Sequence, residues 1–140
     1  DVAVTGVQTC ALPIYLLARY RRPTPRLAEG RALAPLVHAM MDVSDGLLID
    51  AGRMAAASGL AVTIDLARIP LSTALRAHAP DPLAAATAGD DYELLFACAD
   101  APPVFATRIG SFAPGSGLAL IHDGQPVPLP PRLGFEHGLR

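Results

Sequence analysis

Two short acidic segments contain the residue types in this 140-residue sequence that could carry out chemistry. Asp42–Gly46 reads Asp-Val-Ser-Asp-Gly, and Gly89–Glu93 reads Gly-Asp-Asp-Tyr-Glu. Carboxylates at this spacing can share Mg²⁺ while the ion keeps waters for substrate phosphates. A serine hydroxyl and free amides at a helix start can meet phosphate oxygens. The two segments therefore suit a site for phosphate groups and a hard cation.

Simpler interpretations stay open for both segments. Ser44 or Asp45 can be only a helix N-cap, which contributes about 1 kcal/mol. Asp91 can bond its own backbone in a solvated turn. The carboxylates of the second segment repel one another unless they point in different directions or are separated by a cation or by hydrogen-bond donors. The histidines form no metal-binding pair at helical spacing, and no Gly-x-Ser-x-Gly motif indicates a hydrolase.

The elements that position the acidic segments follow from the apolar pattern. Met40–Val43 is a brief apolar run, so the first segment lies at the end of a strand that opens into a helix. That helix is predicted from Leu47 to a stop at Gly59, with Asp50 and Arg53 on the face opposite its apolar residues. Tyr92–Cys98 predicts a second strand, which places the other acidic segment at a strand start.

The remaining pattern predicts a layered domain. Leu60–Leu66 alternates apolar and other residues as a half-buried strand does. Asp123-Gly124 predicts a tight hairpin between Leu118–His122 and Gln125–Pro128. Further helices are predicted over Leu27–Leu33, Ser72–Ala79, Pro82–Thr87 and Pro102–Ile109. Helices and strands alternate without a strict parallel pattern, so the fold class is α/β (α+β).

Composition excludes several classes of protein. The net charge is −2, and all 11 cationic residues are arginines without a clustered basic face. This argues against a nucleic-acid or anionic-membrane partner, and the absence of lysine excludes a Schiff base or a P-loop. Cys10 and Cys98 have no metal-ligand spacing. The apolar stretch Cys10–Ala18 is too short to span a membrane and lacks the charge order of a signal peptide. We therefore expect a cytoplasmic protein.

The first residues resemble something other than a natural protein. Val4–Ile14 reads VTGVQTCALPI and resembles the in-frame translation of a common sequencing adapter. Such scars are excluded from fold reasoning. We therefore expect residues 1–14 to lie outside the fold, with the genuine chain beginning near Tyr15 as a fragment.

The two acidic segments in this order carry a resemblance to a known family. His38–Leu47, then Ile69–Ser72, then Ala88–Phe96 resemble the C-terminal half of the thiamine-monophosphate kinase family. The resemblance covers nearly all of the chain after Arg21. It implies that residues 15–140 form a three-layer α/β/α C-terminal domain with a mixed sheet, of the aminoimidazole-ribonucleotide synthetase-like type. It also implies that the N-terminal ATP-binding domain is missing.

The resemblance implies an enzyme that phosphorylates thiamine monophosphate to thiamine diphosphate. Mg²⁺ would be the cofactor and ATP the co-substrate, with direct in-line transfer of the γ-phosphate. Transfer between two phosphates needs charge neutralisation and alignment more than a protein base, so no acid, base or nucleophile is assigned. The full-length enzyme is expected to be a homodimer, and the fragment alone is expected to be inactive.

The resemblance also implies roles for particular residues. Asp42 and Asp45 match Mg²⁺ ligands, and Ser44 matches an ATP-contacting position. Asp90 matches an acidic substrate contact at which many relatives carry Glu. Phe135, in a Gly-Phe-Glu-His tail, matches an aromatic residue that lies against the thiamine moiety. An aromatic ring there would favour a cationic thiazolium by cation–π attraction.

Two other functions remain as alternatives. One is another ATP-using enzyme of the same superfamily, such as a selenophosphate synthetase or a hydrogenase-maturation protein. The other is a non-catalytic acidic-loop domain that binds a ligand or partner. The Ser44–Gly46 sequence and the Asp90–Glu93 sequence favour the kinase over its superfamily relatives.

Overall fold

A single mixed sheet organises the protein, for which a computed structural model describes residues 1–6, 18, 21–78 and 80–136. Its seven strands within those residues lie in the order β2-β4-β1-β5-β3-β6-β7. The strands are β1 Val2–Val4, β2 Ala39–Asp42, β3 Leu60–Asp65, β4 Leu94–Ala97, β5 Thr107–Pro114, β6 Gly117–His122 and β7 Gln125–Val127. Neighbouring strands pair antiparallel except β3 and β6, which are parallel. The mixed sheet confirms the expected fold class.

Helices cover both faces of this sheet. They are α1 Leu27–Leu33, α2 Leu47–Ser58, α3 Thr73–His78 and α4 Pro82–Thr87, with a short 3₁₀ helix at Leu66–Arg68. The main core lies between α2 and one face of the sheet, and it includes Val2 and Val4 of β1. Leu33 of α1 packs with Ala3 and Phe96 on the other face. Successive strand residues point to opposite faces, so the layers follow from the alternation in β1. No helix in the described part of the chain is long and apolar enough to cross a membrane.

The first strand overturns the expectation that residues 1–14 lie outside the fold. Val2–Val4 lies between β4 and β5 and pairs with both of them. Val2 and Val4 are fully buried, and the Thr5 amide donates to the Leu94 carbonyl at 3.1 Å. Buried β-branched side chains and ladder hydrogen bonds are the properties of a central strand. Residues 7–14 lie outside the described residues, and the adapter origin of Val4–Ile14 stays a prediction.

One predicted helix is also wrong. Residues 102–106 are irregular, and β5 begins at Thr107 where a helix over Pro102–Ile109 was expected. Thr107 and Ile109 are β-branched, and the Ile109 side chain is buried in the main core. The predicted hairpin is confirmed, because β6 and β7 flank Asp123-Gly124, both with positive φ. The other predicted helices and strands are present, although Ala79 lies outside the described residues.

Candidate functional site

Pairing of β2 with β4 brings the two acidic segments together. The strands are antiparallel with Asp42 opposite Leu94, so the loop after β2 lies beside the loop before β4. The Asp90 amide donates to the Ser44 carbonyl at 2.8 Å, and the Tyr92 amide donates to the Val43 carbonyl at 2.8 Å. The two segments, distant in sequence, therefore form one backbone-bonded junction.

The two loops approach so closely at this junction that only some residue types fit there. A Cβ added to Gly89 would lie 2.7 Å from the Ser44 carbonyl oxygen, which is backbone and cannot move aside easily. Asp90 and Tyr92 have φ values of 67° and 51°, in the left-handed region that non-glycine residues rarely adopt. Backbone strain of this kind persists where the surroundings impose it, and it clusters at ligand-binding sites.

A cavity of about 440 Å³ opens at this junction. It is lined by Ser44, Asp45, Gly89, Asp90, Tyr92 and Phe135. Its volume is within the range of small-molecule sites, roughly 300–1,000 Å³. Four of the five residues implied by the sequence resemblance thus share one cavity.

The C-terminal tail is held against the cavity by its backbone. The Phe135 amide donates to the Asp45 carbonyl at 2.8 Å. A Cβ on Gly134 would overlap the Ile49 side chain and the Asp45 carbonyl, so only glycine permits this approach. Leu133 packs against the main core. These contacts place the exposed Phe135 ring at the edge of the cavity.

Asp42 is the exception among the implied residues. It lines a neighbouring cavity of about 500 Å³ whose other lining is mainly apolar. Tyr92 lines both cavities and donates its hydroxyl to Asp90 Oδ1 at 3.1 Å. The Asp42 side chain is exposed, and within the described residues its carboxylate makes no hydrogen bond or ion pair.

Asp50 was misplaced by the sequence interpretation. Its side chain was expected on the polar face of α2, but it is 0% exposed. Asp50 Oδ2 accepts the backbone amides of Ser44 at 3.0 Å and Asp45 at 3.1 Å. The helix cap is Gly46 without a side-chain cap bond, so the interpretation of Ser44 or Asp45 as an N-cap is wrong. Their amides are occupied by Asp50 and are not free for phosphate.

The spacing of the apolar residues in α2 already indicated that Asp50 is buried. Asp50 follows Leu47 by three residues and precedes Met54 by four, which puts all three on one helical face. Both of these neighbours are buried. An acidic residue inside an apolar stripe indicates a specific partner rather than solvent.

Arg53 bridges the carboxylates of Asp45 and Asp50. Its Nη1 donates to Asp45 Oδ2 at 2.5 Å and to Asp50 Oδ1 at 2.8 Å, while the Arg53 side chain stays 46% exposed. The hydrogen bond to Asp45 raises the pKa of Arg53 above its ordinary value. The guanidinium therefore neutralises part of the negative charge beside the cavity.

The carboxylates of the second acidic segment lie in different environments. Asp90 lines the cavity, whereas Asp91 and Glu93 are buried. Arg26 donates from Nε at 2.7 Å and from Nη2 at 2.8 Å to the two oxygens of Glu93. Thr5 Oγ1 adds a third donor at 2.6 Å. The hydrogen bond to Glu93 raises the pKa of Arg26, and Glu93 has a structural role.

Glu93→Gln should destabilise the chain by about 2 to 3 kcal/mol, because it breaks the bidentate ion pair between Arg26 and a buried carboxylate. The measurement is the free energy of unfolding in urea. Glu29→Gln is the matched control, because Glu29 meets the same Arg26 at 3.5 Å in a partly exposed pair. Its loss should change stability by less than about 1 kcal/mol. Equal effects of the two substitutions would contradict the structural role of Glu93.

The oxygen donors at the cavity fit Mg²⁺ shared with phosphate rather than a metal held by protein alone. Asp45 and Asp90 contribute carboxylates, and Ser44 contributes a hydroxyl. No cluster of three or more histidine, cysteine or acidic residues placed for a metal occurs in the described ranges. Mg²⁺ is commonly held by one or two carboxylates together with substrate phosphates and waters. The residues present therefore fit that mode.

Comparison with known proteins defines the class. Residues 17–123 match the family model described as AIR synthase related protein, C-terminal domain. The chain belongs to this family, and the match confirms the predicted type of fold.

Particular relatives narrow the comparison. The chain is 38% identical over 141 residues to thiamine-monophosphate kinase of Caulobacter vibrioides, covering 88% of this chain and 40% of the relative. A crystal structure of thiamine-monophosphate kinase from Stenotrophomonas maltophilia K279a is 33% identical with a TM-score of 0.75, covering 91% of this chain and 51% of that one. A structure described as AaThiL complexed with AMPPCP and TMP is 27% identical with a TM-score of 0.79, covering 96% and 50%. The chain thus spans about half or less of the length of these relatives.

Proposed function

We propose that the chain is the C-terminal domain of a thiamine-monophosphate kinase, which transfers the γ-phosphate of ATP to thiamine monophosphate. One observation carries the proposal: both acidic segments and the aromatic tail meet around a single cavity. The names of the relatives support it, as does the similarity to a structure that holds AMPPCP and TMP.

The cavity residues divide the work of binding two phosphorylated molecules. Ser44 contacts ATP, while Asp90 and Phe135 contact thiamine monophosphate. The Phe135 ring favours a cationic thiazolium by cation–π attraction. Asp45 and Asp42 would hold Mg²⁺. When bound, Mg²⁺ would supply charge neutralisation on the phosphate oxygens.

No protein base is required for this reaction. The accepting phosphate is already ionised near neutral pH, so its oxygen can attack without giving up a proton to a side chain. Catalysis then depends on alignment of the two phosphates and on electrostatic stabilisation of the transferring group. The oxygen donors of the described residues that line the cavity agree with this chemistry.

The activity should require more than this chain. Since the chain spans about half or less of its relatives, we propose that an N-terminal half supplies the remaining nucleotide and metal ligands. We call the chain joined to such a half, from its own gene or from the Caulobacter vibrioides relative, the extended protein. A cytoplasmic homodimer is the expected form of the extended protein.

The extended protein should form thiamine diphosphate from thiamine monophosphate, ATP and Mg²⁺, whereas the 140-residue chain alone should not. The physical reason is that alignment of both phosphates supplies much of the rate acceleration, and half of the ligands are absent from the chain. Product formation is followed by liquid chromatography. Turnover by the chain alone would contradict the need for the other half. Mg²⁺-dependent binding of thiamine diphosphate by the extended protein without turnover would favour the non-catalytic alternative.

A further inference from the structure

We propose that Asp50 is a positioning residue, which holds the Ser44–Asp45 backbone directly and the Asp45 carboxylate through Arg53. The inference deepens the proposed function and rests on it for the kinetic consequences. Its geometric part, the fixed turn between β2 and α2, can be tested without any turnover.

Burial of the Asp50 charge requires an explanation. A buried carboxylate is costly unless it is paired and hydrogen-bonded. Asp50 is fully buried among apolar residues of α2, a position that an apolar side chain would fill at lower cost. Its oxygens accept from the amides of Ser44 and Asp45 and from Arg53. Within the described residues, the charge is therefore stabilised by the two amides of the cavity wall and by Arg53.

The turn depends on this carboxylate. Gly46 caps α2 with a φ of 134° and provides no side-chain cap bond. In most helices the cap side chain bonds amides that follow it. Here a side chain one turn inside the helix bonds the two amides that precede the cap instead. Two consecutive residues of the cavity wall are thus fixed from one buried atom, Asp50 Oδ2.

Arg53 extends this control to the proposed metal ligand. Its Nη1 lies between Asp45 Oδ2 and Asp50 Oδ1, two carboxylates that would otherwise repel each other. Because Asp50 is buried in the core and bonded to Arg53, it holds the guanidinium in place, and Arg53 in turn orients the Asp45 carboxylate. Groups that orient a metal ligand in this way typically change metal affinity or activity by about 10–100-fold when they are removed.

Asp50→Asn in the extended protein tests both the direct contact with the backbone and the contact with Asp45 through Arg53. Asparagine keeps the volume but loses the charge and presents an NH₂ group to one of the three donors. We expect turnover to fall by about tenfold or more, and the Mg²⁺ concentration for half-maximal rate to rise several-fold. Arg53→Gln should shift the Mg²⁺ midpoint in the same direction, while Arg53→Lys should restore most of it. A residue that only stabilised the fold would lower the melting temperature without moving the Mg²⁺ midpoint.

Amide hydrogen exchange provides a readout that needs no activity. The Ser44 and Asp45 amides should be protected in the wild-type extended protein and should exchange at least about tenfold faster in Asp50→Asn. Asp65→Asn is the control, because Asp65 accepts the Ala67 amide at 3.1 Å at the 3₁₀ helix, outside the site. It should leave the exchange of both amides unchanged.

The outcomes separate this inference from the proposed function. A wild-type extended protein without turnover would overturn the function, while amide exchange would still decide whether Asp50 positions the turn. If Asp50→Asn does not fold, Arg53→Gln still tests whether Arg53 orients the Asp45 carboxylate. The Arg53 side chain is 46% exposed, so its loss leaves the core intact. Unprotected Ser44 and Asp45 amides in the wild type would contradict the claim that Asp50 holds this part of the backbone. An unchanged Mg²⁺ midpoint in Arg53→Gln would contradict the claim that Arg53 orients the Asp45 carboxylate.

Discussion

Deletion of residues 1–6 should abolish the cooperative thermal unfolding transition of the chain. The deletion removes β1, the strand that joins the β2–β4 pair to β5 and the rest of the sheet. It also removes Val2 and Val4, which are fully buried and contribute about 1.5–3 kcal/mol each. Domains of this size have only about 5–15 kcal/mol of stability in total. Circular dichroism during heating measures the transition.

Asp1→Asn is the control for this deletion. The Asp1 carboxylate pairs with Arg108 at 2.9 Å where both side chains are exposed, so its loss should change stability by less than about 1 kcal/mol. An unchanged melting temperature after deletion of residues 1–6 would contradict the central position of β1. It would also restore the expectation that residues 1–14 stand outside the fold.

Asp45→Asn and Asp42→Asn should each lower turnover of the extended protein by about a hundredfold or more. Each substitution keeps the side-chain size and removes one negative charge from the proposed Mg²⁺–phosphate cluster, a preorganised electrostatic contribution of this order. Melting temperatures should change little, because the Asp45–Arg53 pair is partly exposed and Asp42 is exposed. Initial rates and thermal melts are measured for each variant.

The control for these variants must lie outside the site. Asp50→Asn is unsuitable because Asp50 is buried and bonded to the same turn. Asp65→Asn removes a carboxylate of similar capping function at the 3₁₀ helix and should keep wild-type turnover. Near-normal turnover in both Asp42→Asn and Asp45→Asn would mean that the junction between β2 and α2 is only a structural turn.

Local sequence signals predicted much of the fold. The helix from Leu47 to Gly59 and the hairpin at Asp123-Gly124 depend on periodicity and turn chemistry within a few residues. The failures depend on long-range packing. A strand at Val2–Val4 is specified by partners more than ninety residues away, which no local pattern reveals. Pro102–Ile109 was assigned a helix, although Thr107 and Arg108 pair with β1, a strand more than a hundred residues earlier in the chain.

The candidate site was predicted in its residues and only partly in its geometry. The order of the two acidic segments indicated Ser44, Asp45 and Asp90, and the structure brings them to one cavity. Asp42 lines a neighbouring cavity instead, because β2 ends at this residue and the chain turns after it. Asp50 was assigned to solvent because its charge was given more weight than its position between Leu47 and Met54.

The most direct test of the proposed function is the rate of thiamine diphosphate formation against Mg²⁺ concentration, measured for wild-type and Asp45→Asn extended protein. We predict saturable, ATP-dependent turnover in the wild type. In Asp45→Asn we predict a curve with a maximum about a hundredfold lower, which high Mg²⁺ restores only in part. Superimposable curves for the two proteins would contradict the assignment of Asp45 and its cavity to phosphoryl transfer.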